Sequence, residues 1–170
     1  MSISCVMNRR SVREYTDRAV DDEMLKTLLR AGMYAPSAMN SQPWEFVVVR
    51  DRVVLNALSE GAPYWKMLKK APLAIVVVAN LQAYKASHKE FFMQDCAAST
   101  QNILVTAEGL GLGGVWLGTL PVQERMDYVA EVLDIPAGIL PFAIISIGWP
   151  AEHPYPHTSY HEEKVHYDKY

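Results

Sequence analysis

Three arginines in five residues, Arg9-Arg10-Ser11-Val12-Arg13, are the densest concentration of chemistry in the chain. Guanidinium forks bind phosphate and carboxylate bidentately, and the Ser11 hydroxyl adds a donor, so this run can hold an anion. It can equally be a salt-bridged surface, with Glu14 and Asp17 close by. A second candidate is Ala35 to Phe46, Ala-Pro-Ser-Ala-Met-Asn-Ser-Gln-Pro-Trp-Glu-Phe, polar and turn-rich between a helical and a strand-like stretch. Pro36 and Pro43 fix φ and remove two backbone donors, while Ser37, Asn40, Ser41 and Gln42 offer short side chains that can turn the backbone or reach a ligand. A segment of this composition is as often a solvated connector as a binding loop.

Other reactive-looking features carry less. Gly109-Leu110-Gly111-Leu112-Gly113-Gly114 satisfies G-x-G-x-x-G. Dinucleotide-binding glycines follow a strand and open a helix, whereas these close a long helix and lead into Val115-Trp116-Leu117-Gly118. They read as a helix C-terminus and tight turn, and a Rossmann dehydrogenase would rest on the glycine pattern alone. Cys5 and Cys96 are isolated, which argues against zinc and against a disulfide framework. Cys96 lies on an apolar helix stripe with no basic neighbour in sequence, as a packed thiol does. His153, His157, His161 and His166 form no helical metal pairing, so no metal site is expected.

The elements that would carry these residues follow from periodicity. Ile3, Val6 and Met7 predict a short helix delivering the arginine turn. Asp21 reads as an N-cap with Val20 and Leu25 as a hydrophobic staple, opening a helix to about Met33 that stops before Pro36. Trp44 to Val49 is a strand, Asp51 to Ser59 a helix, and Tyr64 to Lys70 a short amphipathic piece. Leu73 to Ala79 is apolar without alternation, which predicts a strand buried on both faces. Ser87-His88-Lys89-Glu90 has capping-box spacing before the longest helix, to about Glu108, with Phe92, Cys96, Ser99, Ile103, Ala107 and Leu110 inward. Val122 to Leu133 is a further helix and Pro141 to Ile147 a second buried strand. The stretch from Ala151 to Tyr170 cannot make a core of its own, and its four tyrosines and Val165 favour docking on a partner subunit.

A chain of 170 residues, 50% hydrophobic and 21% charged with formal charge -3, fits one globular domain over 1–170, with 151–170 as an extended tail. Nothing in the charge pattern points to nucleic acid, no apolar run reaches membrane-spanning length, and a reducing cytoplasm is the simplest setting.

Arg9-Arg10-Ser11-Val12-Arg13, Ala35 to Trp44, Gly111 to Gly118, the closing Gly148-Trp149-Pro150 and the Val165-His166-Tyr167 tail, in this order, resemble the nitroreductase family of flavoproteins over nearly the whole chain. The resemblance implies an α+β fold with a central, mostly antiparallel sheet flanked by helices. It also implies a homodimer holding FMN at its interface, with the tail docking on the partner. Arg9, Arg10, Ser11 and Arg13 match the segment that holds the flavin phosphate, ribityl chain and pyrimidine edge. Pro36, Ser37, Ala38 and Asn40, with Gln42 as a weaker member, match the loop reaching the flavin of the other subunit. Trp116, Leu117 and Gly118 match the segment beside the isoalloxazine ring, where a backbone N–H can meet flavin N5.

The implied activity is an FMN-dependent NAD(P)H oxidoreductase working by ping-pong transfer to nitroaromatics, quinones or similar electrophiles, with no catalytic side chain. A non-enzymatic flavin-storage dimer, a dehalogenase-like or a flavin-fragmenting relative would share the motifs. Two departures stand out. The usual arginine or lysine near Tyr155 to Ser159 is missing, leaving His157 as the substitute in the phosphate site, and Ala38 replaces a larger polar residue of some relatives.

Overall fold

The computed structural model describes residues 3–84, 89–152, 154 and 160–170. Among the described residues, five helices, α1 (Ser4–Asn8), α2 (Asp22–Met33), α3 (Arg52–Leu58), α4 (Phe92–Gly109) and α5 (Gln123–Val132), surround four strands, β1 (Trp44–Val49), β2 (Leu73–Asn80), β3 (Gly113–Gly118) and β4 (Ile139–Gly148). The strands form one sheet in the order β1-β2-β4-β3, every pair antiparallel. Helices α2 and α4 pack together over one face, and α3, α5 and a 3-10 turn at Pro63–Lys69 cover the other. None of the described helices is long and apolar enough to cross a membrane.

Burial follows the pleat. On β2, Leu73, Ile75, Val77 and Ala79 enter the core under α2 and α4, while Ala74, Val76 and Val78 enter the core under α3 and α5. The unbroken apolar run of this strand is therefore the signature of a central strand covered twice, as its sequence predicts. Fully buried Leu55, Leu58, Leu68 and Trp65 close the second core, each contributing roughly 1.5–3 kcal/mol.

Helix ends are set by side chains. Asp21 accepts from the Met24 amide at 2.8 Å to start α2, and Asp51 accepts from Val53 and Val54 to start α3. The start of α4 differs from its sequence reading. A 3-10 turn at Lys89–Phe91 leads in, and the α-helix begins at Phe92 with no side-chain cap. The tighter i→i+3 turn does the work of a cap at such an entry. Ser87 and His88 lie outside the described residues. The inward stripe carries Cys96, Ser99, Ile103 and Ala107 as expected, and also Asp95.

The arginine run is stitched to the sheet edge. Ser11 bridges Gly114 in parallel, the Val12 amide donates to the Gly114 carbonyl at 3.1 Å, and the Thr16 amide donates to Trp149 at 2.9 Å. Gly113 permits this close approach, since a Cβ there would lie 2.6 Å from Val12. The Tyr15 hydroxyl donates to the Val12 carbonyl at 2.7 Å and also meets Ser146. Burial raises its pKa above the ordinary tyrosine range, so it stays a donor. Gly111, at φ +74°, makes the turn from α4 into β3, where the glycine pattern falls.

Candidate functional site

Along the free edge of β3 lies a cavity of about 380 Å³, walled by Arg13, Trp65, Lys66, Trp116, Gly118 and Arg125 among others. The size is that of a small-molecule site. Among the described residues its lining includes three cationic side chains and no carboxylate. Arg125 donates to the Gly118 carbonyl at 2.9 Å, and its guanidinium lies 6.0 Å from the Trp65 ring centroid. Lys66 and Lys69 both pair with Glu60, at 2.6 and 2.7 Å, and hold that carboxyl down at about 2. Backbone N–H and C=O groups alternate sides along a strand. With the Gly114 carbonyl bonded to Val12 and the Gly118 carbonyl to Arg125, the amides of Trp116 and Gly118 turn to the same free edge.

Two features bear on ligand binding, one in the arginine run and one on β3. The Nε of Arg10 is buried with no partner, although its Nη1 donates to the carbonyls of Met7 and Arg9 at 2.8 and 2.7 Å. Leaving a buried charged donor unmade costs on the order of 1–3 kcal/mol or more, and a bound anion would remove that cost. Gly118 is the other: a Cβ built there meets nothing within 4 Å, so this glycine faces open space and leaves room beside the strand. The first fits an anion, and the second leaves room for a planar group along β3.

The Ala35–Phe46 loop sits elsewhere. It enters β1, at the opposite edge of the sheet from β3, three strand spacings or roughly 14 Å away. Met39, Asn40 and Gln42 adopt left-handed φ of 53°, 54° and 48°. Asparagine tolerates this region, but methionine and glutamine are held there at about 1–3 kcal/mol each. The Ser37 hydroxyl accepts from the Gln42 amide at 3.0 Å, Ser41 donates to the Ala38 carbonyl at 2.6 Å, and the Ala38 amide donates to Asp95 at 3.0 Å. Gln42 lines a separate hollow with Tyr34, Trp44 and Phe46.

Within one chain the structure thus brings Arg13, Trp116, Leu117 and Gly118 to one cavity, with Ser11 bridged to the same strand, and leaves Pro36, Ser37, Ala38, Asn40 and Gln42 apart. His157 lies outside the described residues. Sequence reasoning missed Lys66, Arg125 and Asp95. The first two sit in amphipathic pieces whose charged faces look like any solvated surface, and nothing in their spacing singles them out. Asp95 had a weak signal: a carboxylate one place before a core cysteine is on a face that must be partly buried.

Fold and site together define an α+β protein with a cationic cleft along a sheet edge. The chain belongs to the nitroreductase family, whose model matches residues 6–149. It is 38% identical over 168 residues to a protein of Methanothermobacter thermautotrophicus provisionally named NADH dehydrogenase/NAD(P)H nitroreductase, covering 99% of this chain and 87% of that one. Among solved structures it resembles an FMN-dependent nitroreductase of Clostridium difficile, with 30% identity, TM-score 0.91 and coverage of 99% and 100% of the two chains. It also resembles a protein of Desulfovibrio desulfuricans, provisionally named a nitroreductase and solved in complex with FMN, with 31% identity, TM-score 0.85 and coverage of 99% and 96%. The chain has the nitroreductase-like fold, and it is an oxidoreductase by family.

Proposed function

We propose that this protein is an FMN-dependent NAD(P)H oxidoreductase that passes reducing equivalents to nitroaromatics, quinones or similar electrophiles by ping-pong kinetics. The observation that carries the reading is the cationic cavity on β3, which includes the open face of Gly118; the orphaned Arg10 Nε lies in the run that Ser11 bridges to the same strand. Arg9, Arg10, Ser11 and Arg13 would hold the phosphate and polar edge of FMN, and Trp116, Leu117 and Gly118 would flank its ring. The chemistry that FMN supplies when bound is hydride acceptance from NAD(P)H and donation to an electron-poor acceptor.

What the chain itself contributes is position. The β3 edge amides offer fixed, non-titrating donors, and Arg125 pins the Gly118 carbonyl so that the strand end keeps its place. Trp65 and Trp116 give the cavity apolar walls that exclude water. No side chain is assigned a proton-transfer role.

Residues 1–170 form one unit of this fold in the reading, and the working form is a homodimer. Ile3, Val6, Met7, Tyr34 and Met39 are exposed, and the strained Ala35–Phe46 loop enters β1, at the opposite sheet edge from the β3 cavity of its own chain, which supports service to a second copy. A second copy covers this surface and lends Pro36, Ser37, Ala38 and Asn40 to the site, with Gln42 beside them. His157 completes the phosphate end in place of the missing basic residue.

Anaerobic mixing of the FMN-loaded protein with NADH and NADPH tests the function. Prompt bleaching of the flavin with either nucleotide is expected. A flavin that stays oxidised with both would make the protein a flavin-binding dimer instead.

A further inference from the structure

We propose that Asp95 is a positioning residue that locks the Ala35–Phe46 loop in its ligand-binding form, by anchoring the Ala38 backbone to the first turn of α4. This rests on the reading that Ser37, Ala38 and Asn40 serve a flavin.

Asp95 is 5% exposed, and no cation pairs with it among the described residues. A buried carboxylate with no counter-charge is costly, and for stapling chain segments a neutral or apolar side chain would serve more cheaply. What sustains it is a pair of donors. The Ala38 amide donates to Oδ1 at 3.0 Å, and the Tyr84 hydroxyl donates to Oδ2 in a short bond. The N-terminal end of α4 favours negative charge in its first turn. Tyr84 is itself buried, and burial followed by the Asp95 carboxylate raises its pKa, so the hydroxyl remains a donor.

One carboxylate therefore ties three separate pieces of chain: the loop, the segment that follows the Leu81–Ala83 turn after β2, and α4. The loop is already a small rigid unit, closed by Ser37 to Gln42 and by Ser41 to Ala38. Those internal bonds fix its shape, and the Asn80 amide, donating to the Pro43 carbonyl at 2.7 Å, holds its C-terminal end to β2. The Asp95 bond to Ala38 holds the other end, being charge-assisted and falling at the residue immediately before the left-handed pair Met39 and Asn40. Releasing it lets the strained residues relax, and the side chains at Ser37 and Asn40 lose their common orientation.

Asp95→Asn, Tyr84→Phe and the double variant test this. The measurements are FMN dissociation constants by flavin fluorescence, hydrogen exchange of the 37–42 amides against the 74–78 amides, and apoprotein melting. Asp95→Asn should weaken FMN binding about tenfold, the difference between a charged and a neutral acceptor. Loop amides should exchange faster, while strand amides and apoprotein melting stay at wild-type values. Tyr84→Phe should weaken binding by a smaller factor. The double variant should be no worse than Asp95→Asn, since both act through one carboxylate. Unchanged FMN affinity in Asp95→Asn overturns the proposal. So does a loss of affinity accompanied by faster strand exchange and lower melting, which would make Asp95 a support of the fold alone. Wild-type protein that takes up no FMN would fell the functional reading and this proposal with it, an outcome distinct from wild-type uptake that Asp95→Asn leaves intact.

Discussion

At the scale of single residues, two side chains make opposite predictions about reactivity. Arg10 has a buried Nε without a partner while its Nη1 donates to the Met7 and Arg9 carbonyls, so removing the guanidinium should cost those two bonds in the empty protein and an anion contact besides in the loaded one. Arg10→Ala is expected to weaken FMN binding by ~1.5–3 kcal/mol, the worth of a hydrogen bond to a charged group. Equilibrium dialysis of FMN checks it, and wild-type affinity would remove Arg10 from the phosphate site. Cys96 is fully buried, and burial, with the Asp95 charge adding to it, pushes its thiol up to about 12. It should therefore stay protonated and unreactive at pH 8. Thiol labelling of the native protein followed by peptide mapping should leave Cys96 unmodified until denaturant is added; labelling of Cys96 in the native protein would contradict this packing. The packed role of Cys96 was legible in the sequence from its stripe. The neighbouring Asp95 was not, because its partners, Ala38 and Tyr84, lie 57 and 11 residues away.

At the scale of elements, β3 and the arginine turn act as one piece. Gly113 and Gly118 stand at its two ends with opposite surroundings. Gly113→Ala would drive a methyl into Val12 and should destabilise the protein by roughly 1–3 kcal/mol in urea unfolding. Gly118→Ala meets no protein atom, so its unfolding free energy should stay within about 0.5 kcal/mol of wild type while FMN affinity falls. Equal effects of the two substitutions on both quantities would mean that the cavity does not extend to Gly118. Three of the four strands were readable: β1 spans the six residues expected, and β2 and β4 show the two-sided burial their apolar runs imply, whereas Gly113–Gly118 reads in sequence as the sequel to a turn and forms β3 only by pairing with β4. The start of α4 was displaced because capping-box spacing is a local signal, and the chain entered this helix through a 3-10 turn.

At the scale of the whole molecule, pH and assembly are the levers. Tyr15 and Tyr84 both have folded-state pKa values raised above the ordinary tyrosine range, chiefly by burial. The unfolded chain releases these protons near pH ~10 whereas the folded chain keeps them, so the folded state binds more protons there. Their contribution to stability is complete below that pH and is lost as pH rises above it. Urea midpoints measured from pH 8 to 11 should fall above about pH 10, with a shallower fall in Tyr15→Phe; an identical alkaline slope in that variant would refute the assignment. Assembly should be linked to the cofactor if the loop, which enters β1 at the sheet edge opposite the β3 cavity, serves the site of a second copy as proposed. Sedimentation across a dilution series should show FMN release tracking dissociation of the dimer, and a monomer that retains FMN would argue against a shared site.

The sequence alone determined the main helices, three of the four strands, the double burial of the central strands and the three motifs that mark the family, while β3 came into view only in the fold. These are local or periodic properties, written in neighbouring residues and in the 2.0 and 3.6 residue repeats. Only the tertiary structure decided which motifs meet. It set the arginine turn against β3 through Val12 and Gly114, put the loop on the far edge, and recruited Lys66, Arg125 and Asp95, whose roles depend on contacts made across long stretches of chain. Spacing along a sequence fixes which face a residue takes; the sheet order β1-β2-β4-β3 fixes what that face meets.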